Sequence, residues 1–261
     1  MNSDILSLGI IQGIFEILPV SSSVNLHFFS KFFNIHECSL SIKIALHIGS
    51  LITLLIYFNK EIADIIKGIF SKNKKISDTY LLQLIAGTIP VIVAGSLAWN
   101  FVKEFNSLKI MGISCIIFGI LLVIFDKLSC VDKPRSQKGH ISITKSLIIG
   151  MFQSISIFPG ISRLGICITA ARMLSLDRKN AIRFSLMLAI PSILGALVLG
   201  LIENYKVYKY SLLQSETLIG IAVTAVVGLV AILPCVKYME KHGFLALTIY
   251  RILISLLICF M

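Results

Sequence analysis

Long apolar runs with short polar punctuation divide the chain into segments, and a helix needs about 20 residues to cross a hydrocarbon core. Six stretches meet or approach that length: 42–58, 80–100, 110–125, 182–202, 217–234 and 244–261. Two further apolar regions, about 5–33 and 143–174, are interrupted too often to be simple spans. Each carries a proline, several serines and a charged residue near its middle, and a continuous helix loses a backbone hydrogen bond at such a proline. Non-helical backbone at membrane depth persists only where protein buries it or where it lines a wet cavity. The pattern therefore predicts an all-α integral membrane protein with six transmembrane helices plus two re-entrant helix pairs, Pro19 and Pro159 lying near their turns.

Composition sharpens this picture. Of 261 residues, 56% are hydrophobic and 14% charged, against roughly 25% charged in soluble domains, so a single transmembrane domain over 1–261 is expected rather than a soluble enzyme. The net charge of +11 does not point to nucleic acid, because the basic residues sit in short loops between apolar spans and form no continuous basic face. Of the 24 Lys and Arg, sixteen fall on one side of the predicted spans, in loops holding Lys60–Lys75, Lys127–Lys145, Arg172–Arg183 and Lys237–Lys241. Six fall on the other side (Lys31, Lys43, Lys103, Lys109, Lys206 and Lys209), and Arg163 and Arg251 lie within apolar segments. That bias makes the first side cytoplasmic and puts both termini outside. No cleaved signal peptide is expected, since Met1-Asn-Ser-Asp4 lacks a basic start. Six scattered cysteines form no metal-binding spacing and read as small hydrophobes.

The two interrupted regions resemble each other. Gly9-Ile-Ile-Gln12 begins the run to Pro19 and Ser21, and Gly150-Met-Phe-Gln153 begins the run to Pro159 and Ser162. An internal duplication with inverted repeats of about 1–126 and 140–261 is expected, one re-entrant pair entering from each side and the turns meeting near the midplane.

The polar residues at those turns carry chemistry. Gln12 and Glu16 are four apart and share one helix face, where the carboxylate suits a metal ion or a proton. Pro19-Val-Ser21-Ser22-Ser23 supplies hydroxyls and backbone N–H groups at the start of a second half-helix, whose dipole favours an anion. Gly160-Ile-Ser162-Arg163 offers the same device with a guanidinium matched to phosphate oxygens. Together these define a phosphate site beside a general base or divalent cation, and their membrane depth implies an amphiphilic substrate with its phosphates near the surface.

At these residues the chain resembles the undecaprenyl-diphosphatases, also called bacitracin-resistance proteins. The likeness rests on the run Gln12-Gly-Ile-Phe-Glu16-Ile-Leu-Pro-Val-Ser21-Ser22 and on Pro159-Gly-Ile-Ser162-Arg163, supported by Phe184-Ser-Leu-Met-Leu-Ala-Ile-Pro191 and Ile249-Tyr250-Arg251. The resemblance implies a multi-pass hydrolase of the bacterial inner membrane, its site opening to the periplasm. Such an enzyme removes the terminal phosphate of undecaprenyl diphosphate, recycles the lipid carrier for peptidoglycan synthesis and confers resistance to bacitracin, which sequesters that substrate. It also implies a divalent cation (Mg or Ca) and is compatible with a homodimer.

Carried over by position, Glu16 holds the metal or acts as base, Ser22 is a nucleophile or phosphate ligand beside Ser21, and Ser162 and Arg163 clamp the diphosphate next to Gly160. Gln12 stands where the family takes Glu or Gln. Two positions depart from the family pattern. Asn25 replaces the motif histidine and cannot shuttle a proton, and Cys167 replaces a threonine and leaves a weaker ligand. Asn25 and Cys167 are nonetheless expected at the substrate. His47 is a candidate substitute for the missing histidine, whereas His27 faces away, and Arg251 is either a buried structural ion or a support of the site. Ser23, Ser154 and Ser156, and Ser21 as the alternative to its place beside Ser22, read as packing residues, and the run Lys72–Lys75 as a solvated loop near anionic lipid. The competing readings are a polyprenyl-phosphate flippase and a lipid-phosphate binder without turnover, from which hydrolysis of the diphosphate discriminates.

Overall fold

A computed structural model describes residues 2–35, 40–70, 77–103, 107–129, 141–203 and 214–260. Among them are eleven helices and no strand. In chain order these are α1 (Asn2–Phe15), α2 (Ser22–Phe32), α3 (Leu40–Tyr57), α4 (Asn59–Phe70), α5 (Ser77–Lys103) and α6 (Leu108–Leu128). They continue as α7 (Ile143–Ile155), α8 (Arg163–Met173), α9 (Arg178–Glu203), α10 (Ser215–His242) and α11 (Leu245–Phe260). Each interrupted region is a helix, a tight turn and a second helix, α1–α2 and α7–α8, and each of the six expected spans falls on one of α3, α5, α6, α9, α10 and α11. Four helices hold stretches long and apolar enough to cross a membrane: Tyr80–Ala98, Leu108–Leu128, Arg178–Ile202 and Ser215–His242. The apolar stretches Ile44–Tyr57 and Leu245–Phe260 are shorter than that.

Three expectations are corrected. The stretch after the first span is not a plain loop: its first part is α4, an amphipathic helix with Lys60, Asp64 and Lys67 exposed and Ile62 and Ile65 packed on the core. Apolar residues three apart on a polar background make that face. Lys72, Lys74, Lys75, Lys133, Arg135, Lys138, Lys206 and Lys209 lie outside the described residues. The fifth span does not end at Pro234, because α10 runs through it to His242 and carries Lys237 and Lys241 on its last turns. Pro90 and Pro191 likewise lie inside helices, a placement that membrane helices tolerate. Arg172 does not lie in a loop: it is on α8 and 1% exposed, with Nε 2.9 Å from Asp126 Oδ1 and Nη1 donating to Leu176 O.

Packing between helices relies on small residues and hydroxyls, as expected where lipid provides no hydrophobic drive for helix association. α1 packs on α10, α7 packs on α5, and α6 lies along α11. A side chain at Gly150 would collide with the Gly87 backbone, its Cβ only 2.8 Å from the carbonyl carbon. Thr224 and Thr53 donate to the carbonyls of Gly9 and Ala225, which ties α10 to α1 and α3. The largest apolar cluster joins α3, α8, α9 and α10 through Leu51, Leu54, Leu164, Phe184, Leu188 and Ile232. It forms the floor beneath the two turns.

Candidate active site

Local sequence sets both turns. α1 stops at Phe15 because Pro19 has no N–H to continue the ladder, although Glu16 N still donates to Gln12 O at 3.0 Å and keeps Glu16 in register with Gln12. Ser21, at φ 65°, then reverses the chain into α2. In the second pair Gly160, at φ 93°, makes the reversal and Ser162 caps α8, its Oγ accepting from Gly165 N at 3.1 Å. A non-glycine residue at such a φ costs about 1–2 kcal/mol, and a Cβ on Gly160 would lie 2.9 Å from the Met111 carbonyl carbon. Gly160→Ala is therefore expected to lower the thermal midpoint of the purified protein together with its activity. An unchanged midpoint in a detergent melt would contradict this account of the turn.

The turns meet at a cavity of about 400 Å³ lined by Glu16, Ser21, Ser22, His47, Ser162 and Arg163 on its polar side. Ile92, Ile193, Leu197 and Leu199 line its apolar side. Glu16 is the hub. One carboxylate oxygen accepts from Arg163 Nη2, and the other accepts from Ser22 Oγ at 2.6 Å and Gln12 Nε2 at 3.0 Å. Arg163 also donates from Nη1 to Ala189 O at 3.3 Å, which braces it on α9. His47, on α3, stands 3.6 Å from Glu16 and 3.1 Å from Gln12 Nε2 through its Nδ1. The Glu16 and Arg163 side chains are 9% and 19% exposed, so their attraction acts in a poorly screened place while remaining reachable from the cavity.

Of the expected site residues, Glu16, Ser21, Ser22, Gly160, Ser162 and Arg163 line this one cavity. Gln12, Asn25 and Cys167 do not; all three are fully buried behind its wall. Gln12 orients Glu16 and leaves its own Oε1 buried without a hydrogen-bond partner. Asn25 donates to Val20 O and Ser21 O and accepts from the Tyr250 hydroxyl, so it secures the first turn. Cys167 donates weakly to Gln153 Oε1 at 3.5 Å. Gln153, which sits in α7 as Gln12 does in α1, reaches the Gly87 carbonyl instead of a carboxylate, because Ile157 stands four residues after it. The site is thus asymmetric, with its carboxylate from one half and its guanidinium from the other.

Sequence reading undervalued His47, whose signal was a histidine inside an apolar helix. It also left open Arg251, which the structure buries at 1% exposure against both turns. Among the described residues no group of three or more His, Cys, Asp or Glu is placed to hold a metal ion by itself. Among the described residues Glu16 is the carboxylate that lines the cavity, and a hard cation there would draw its remaining ligands from phosphate and water.

An all-α membrane protein whose two broken helices point their N-termini, a carboxylate and a guanidinium into one cavity belongs to the class that handles lipid-borne anions. Residues 5–257 match the family model described as bacitracin resistance protein BacA, and the chain belongs to that family. It is 35% identical over 237 residues to "Undecaprenyl-diphosphatase 4" of Bacillus thuringiensis subsp. konkukian, covering 90% of this chain and 88% of that protein. It is 36% identical over 260 residues to "Undecaprenyl-diphosphatase" of Pelagibacter ubique, covering 98% and 95%. A protein of the same name from Tropheryma whipplei is 35% identical over 271 residues, covering 95% of each chain.

Proposed function

We propose that this chain hydrolyses undecaprenyl diphosphate to undecaprenyl phosphate and phosphate, recycling the lipid carrier for cell-wall synthesis in the bacterial membrane. The observation that carries the reading is the 2.6 Å hydrogen bond from Ser22 Oγ to Glu16 in a cavity that also presents Arg163. A hydroxyl held on a carboxylate that other groups orient is the arrangement of an activated nucleophile. The diphosphate lies against Arg163, Ser162 and the N-terminus of α8, and the prenyl chain leaves along Ile92, Ile193 and Leu199. Ser22 Oγ attacks the terminal phosphorus as its proton passes to Glu16. The bond to the bridging oxygen breaks and Glu16 hands that proton to the departing undecaprenyl phosphate. The restored carboxylate then takes a proton from water, whose oxygen attacks the phosphorus on Ser22, and phosphate leaves as Ser22 Oγ recovers its proton from Glu16. Gln12 and His47 hold Glu16 in the orientation that both steps need.

A divalent cation belongs to this proposal. Glu16 would hold it, with phosphate and water completing its ligands, and it would supply neutralisation of phosphate charge. The pairing of α1 with α10 and of α7 with α5 supports two inverted repeats of about 1–126 and 140–261. The excess of Lys and Arg on the opposite side of the spans supports a site opening to the periplasm. Competition by bacitracin follows from its sequestering the same substrate.

The test is phosphate release from undecaprenyl diphosphate by the purified protein in detergent, with and without a chelator. Release is expected, falling at least about tenfold on chelation, the scale of a lost charge-stabilising contact, and returning with Mg or Ca. A well-folded protein that releases no phosphate would sink the hydrolase reading, and release indifferent to the chelator would remove the cation.

A further inference from the structure

Arg251, on α11, is one of the two largest fully buried side chains among the described residues, both of them arginines. The other, Arg172, has its carboxylate in Asp126. Arg251 has none among the described residues. Its three nitrogens donate instead to two backbone carbonyls and a cysteine sulfur: Nη1 to Pro19 O at 3.1 Å, Nη2 to Gly160 O at 3.2 Å and Nε to Cys115 Sγ at 3.1 Å. Pro19 and Gly160 belong to the two different turns, so one planar guanidinium spans the seam between the halves. A buried cation without a counter-ion is costly, and its retention calls for a reason.

The surroundings are shaped for this group. A Cβ on Gly119 would lie 3.1 Å from Arg251 Cδ, and one on Gly165 would lie 3.2 Å from Nη1, so the absence of side chains on α6 and α8 leaves the guanidinium its channel. The adjacent Tyr250 reinforces the same grip, because its hydroxyl binds Asn25, which in turn holds the carbonyls of Val20 and Ser21. Three successive carbonyls of the first turn, at residues 19, 20 and 21, are thus tied directly or through Asn25 to two successive residues of α11.

We infer that Arg251 is a positioning residue for phosphoryl transfer: it fixes the α2 and α8 N-termini at the spacing that lets Ser22 and Arg163 act on one diphosphate, and its unneutralised charge makes the seam attractive to that anion. The inference rests on the phosphatase reading. A fork that bonds two carbonyls at once cannot be replaced by an ammonium, which is a single point charge. A displacement of about 1 Å between reacting groups costs on the order of 100-fold in rate. Substrate affinity, dominated by the prenyl chain and Arg163, changes far less.

The experiment measures kcat and KM for phosphate release from undecaprenyl diphosphate, with thermal melts, for the wild type, Arg251→Lys, Gly119→Ala and Arg172→Lys. Arg251→Lys is expected to lose about 100-fold in kcat with KM within about threefold. Gly119→Ala keeps the arginine but crowds its stem, and about a tenfold loss in kcat is expected at nearly wild-type stability. Arg172→Lys, outside the site, is expected to melt earlier yet keep the kcat of its folded fraction. Should Arg251→Lys not fold, Gly119→Ala decides alone. Full kcat in the folded Arg251→Lys or Gly119→Ala variant, or an effect confined to KM, overturns the positioning role while leaving the phosphatase standing. A wild type without turnover overturns the phosphatase reading and this inference with it.

Discussion

Glu16→Gln is expected to lower phosphate release by about 10²–10⁴-fold, the span that a positioned general base contributes. Glutamine keeps the volume and can still accept from Ser22, so the variant isolates the loss of the charge that takes the serine proton. The same substitution leaves Arg163 without its anion in a site where both side chains are largely buried. Removing one partner of such a pair exposes the other to an unbalanced desolvation cost. The melting temperature is therefore expected to fall as well, and activity must be normalised to folded protein. Steady-state release from undecaprenyl diphosphate decides it. A folded Glu16→Gln protein with near wild-type kcat would remove Glu16 from the chemistry and leave it a structural partner of Arg163.

Arg163→Lys is the second large effect. Arg163 divides its fork between Glu16 and the Ala189 carbonyl, so when the diphosphate enters, the guanidinium can bind phosphate oxygens without giving up its place on α9. Lysine offers one point charge and loses that geometry. Loss of a donor aimed at developing charge costs about 10²–10³-fold in kcat. Because the same group binds the ground-state diphosphate, KM is expected to rise too, which separates this variant from the Arg251 variants, where KM holds. In a double-mutant comparison the Glu16→Gln and Arg163→Lys losses are expected to be strongly non-additive, since the two side chains act as a unit. Additive losses would place them in independent roles.

What was legible in advance followed from local geometry. Gln12 and Glu16 share a helix face at a spacing of four, and their hydrogen bond is found at 3.0 Å. Gly160-Ile-Ser162-Arg163 reads as the start of a second half-helix, and α8 begins at Arg163 with Ser162 at its N-cap. Pro19 and Pro159 mark breaks that no helix could ignore. The same local reasoning failed where a residue's partner lies far along the chain. Asn25, expected at the substrate, turned inward to the carbonyls at 20 and 21 because Tyr250 arrives from 225 residues away. Arg172 falls among the basic residues that flank the second broken helix, and only the approach of α6 with Asp126 shows why it is buried.

The sequence by itself determined that this is a membrane protein with two broken helices, and which side chains at the breaks bear charge, because run length, proline and i, i+4 spacing act within a few residues. Only the tertiary structure decided that Glu16 of one break meets Arg163 of the other across 147 residues. It also decided that His47 joins them from α3 and that Arg251 closes the seam behind them. Those contacts depend on how closely helices approach one another at glycines and hydroxyls. That distance is a property of paired surfaces, which no stretch of the chain encodes alone.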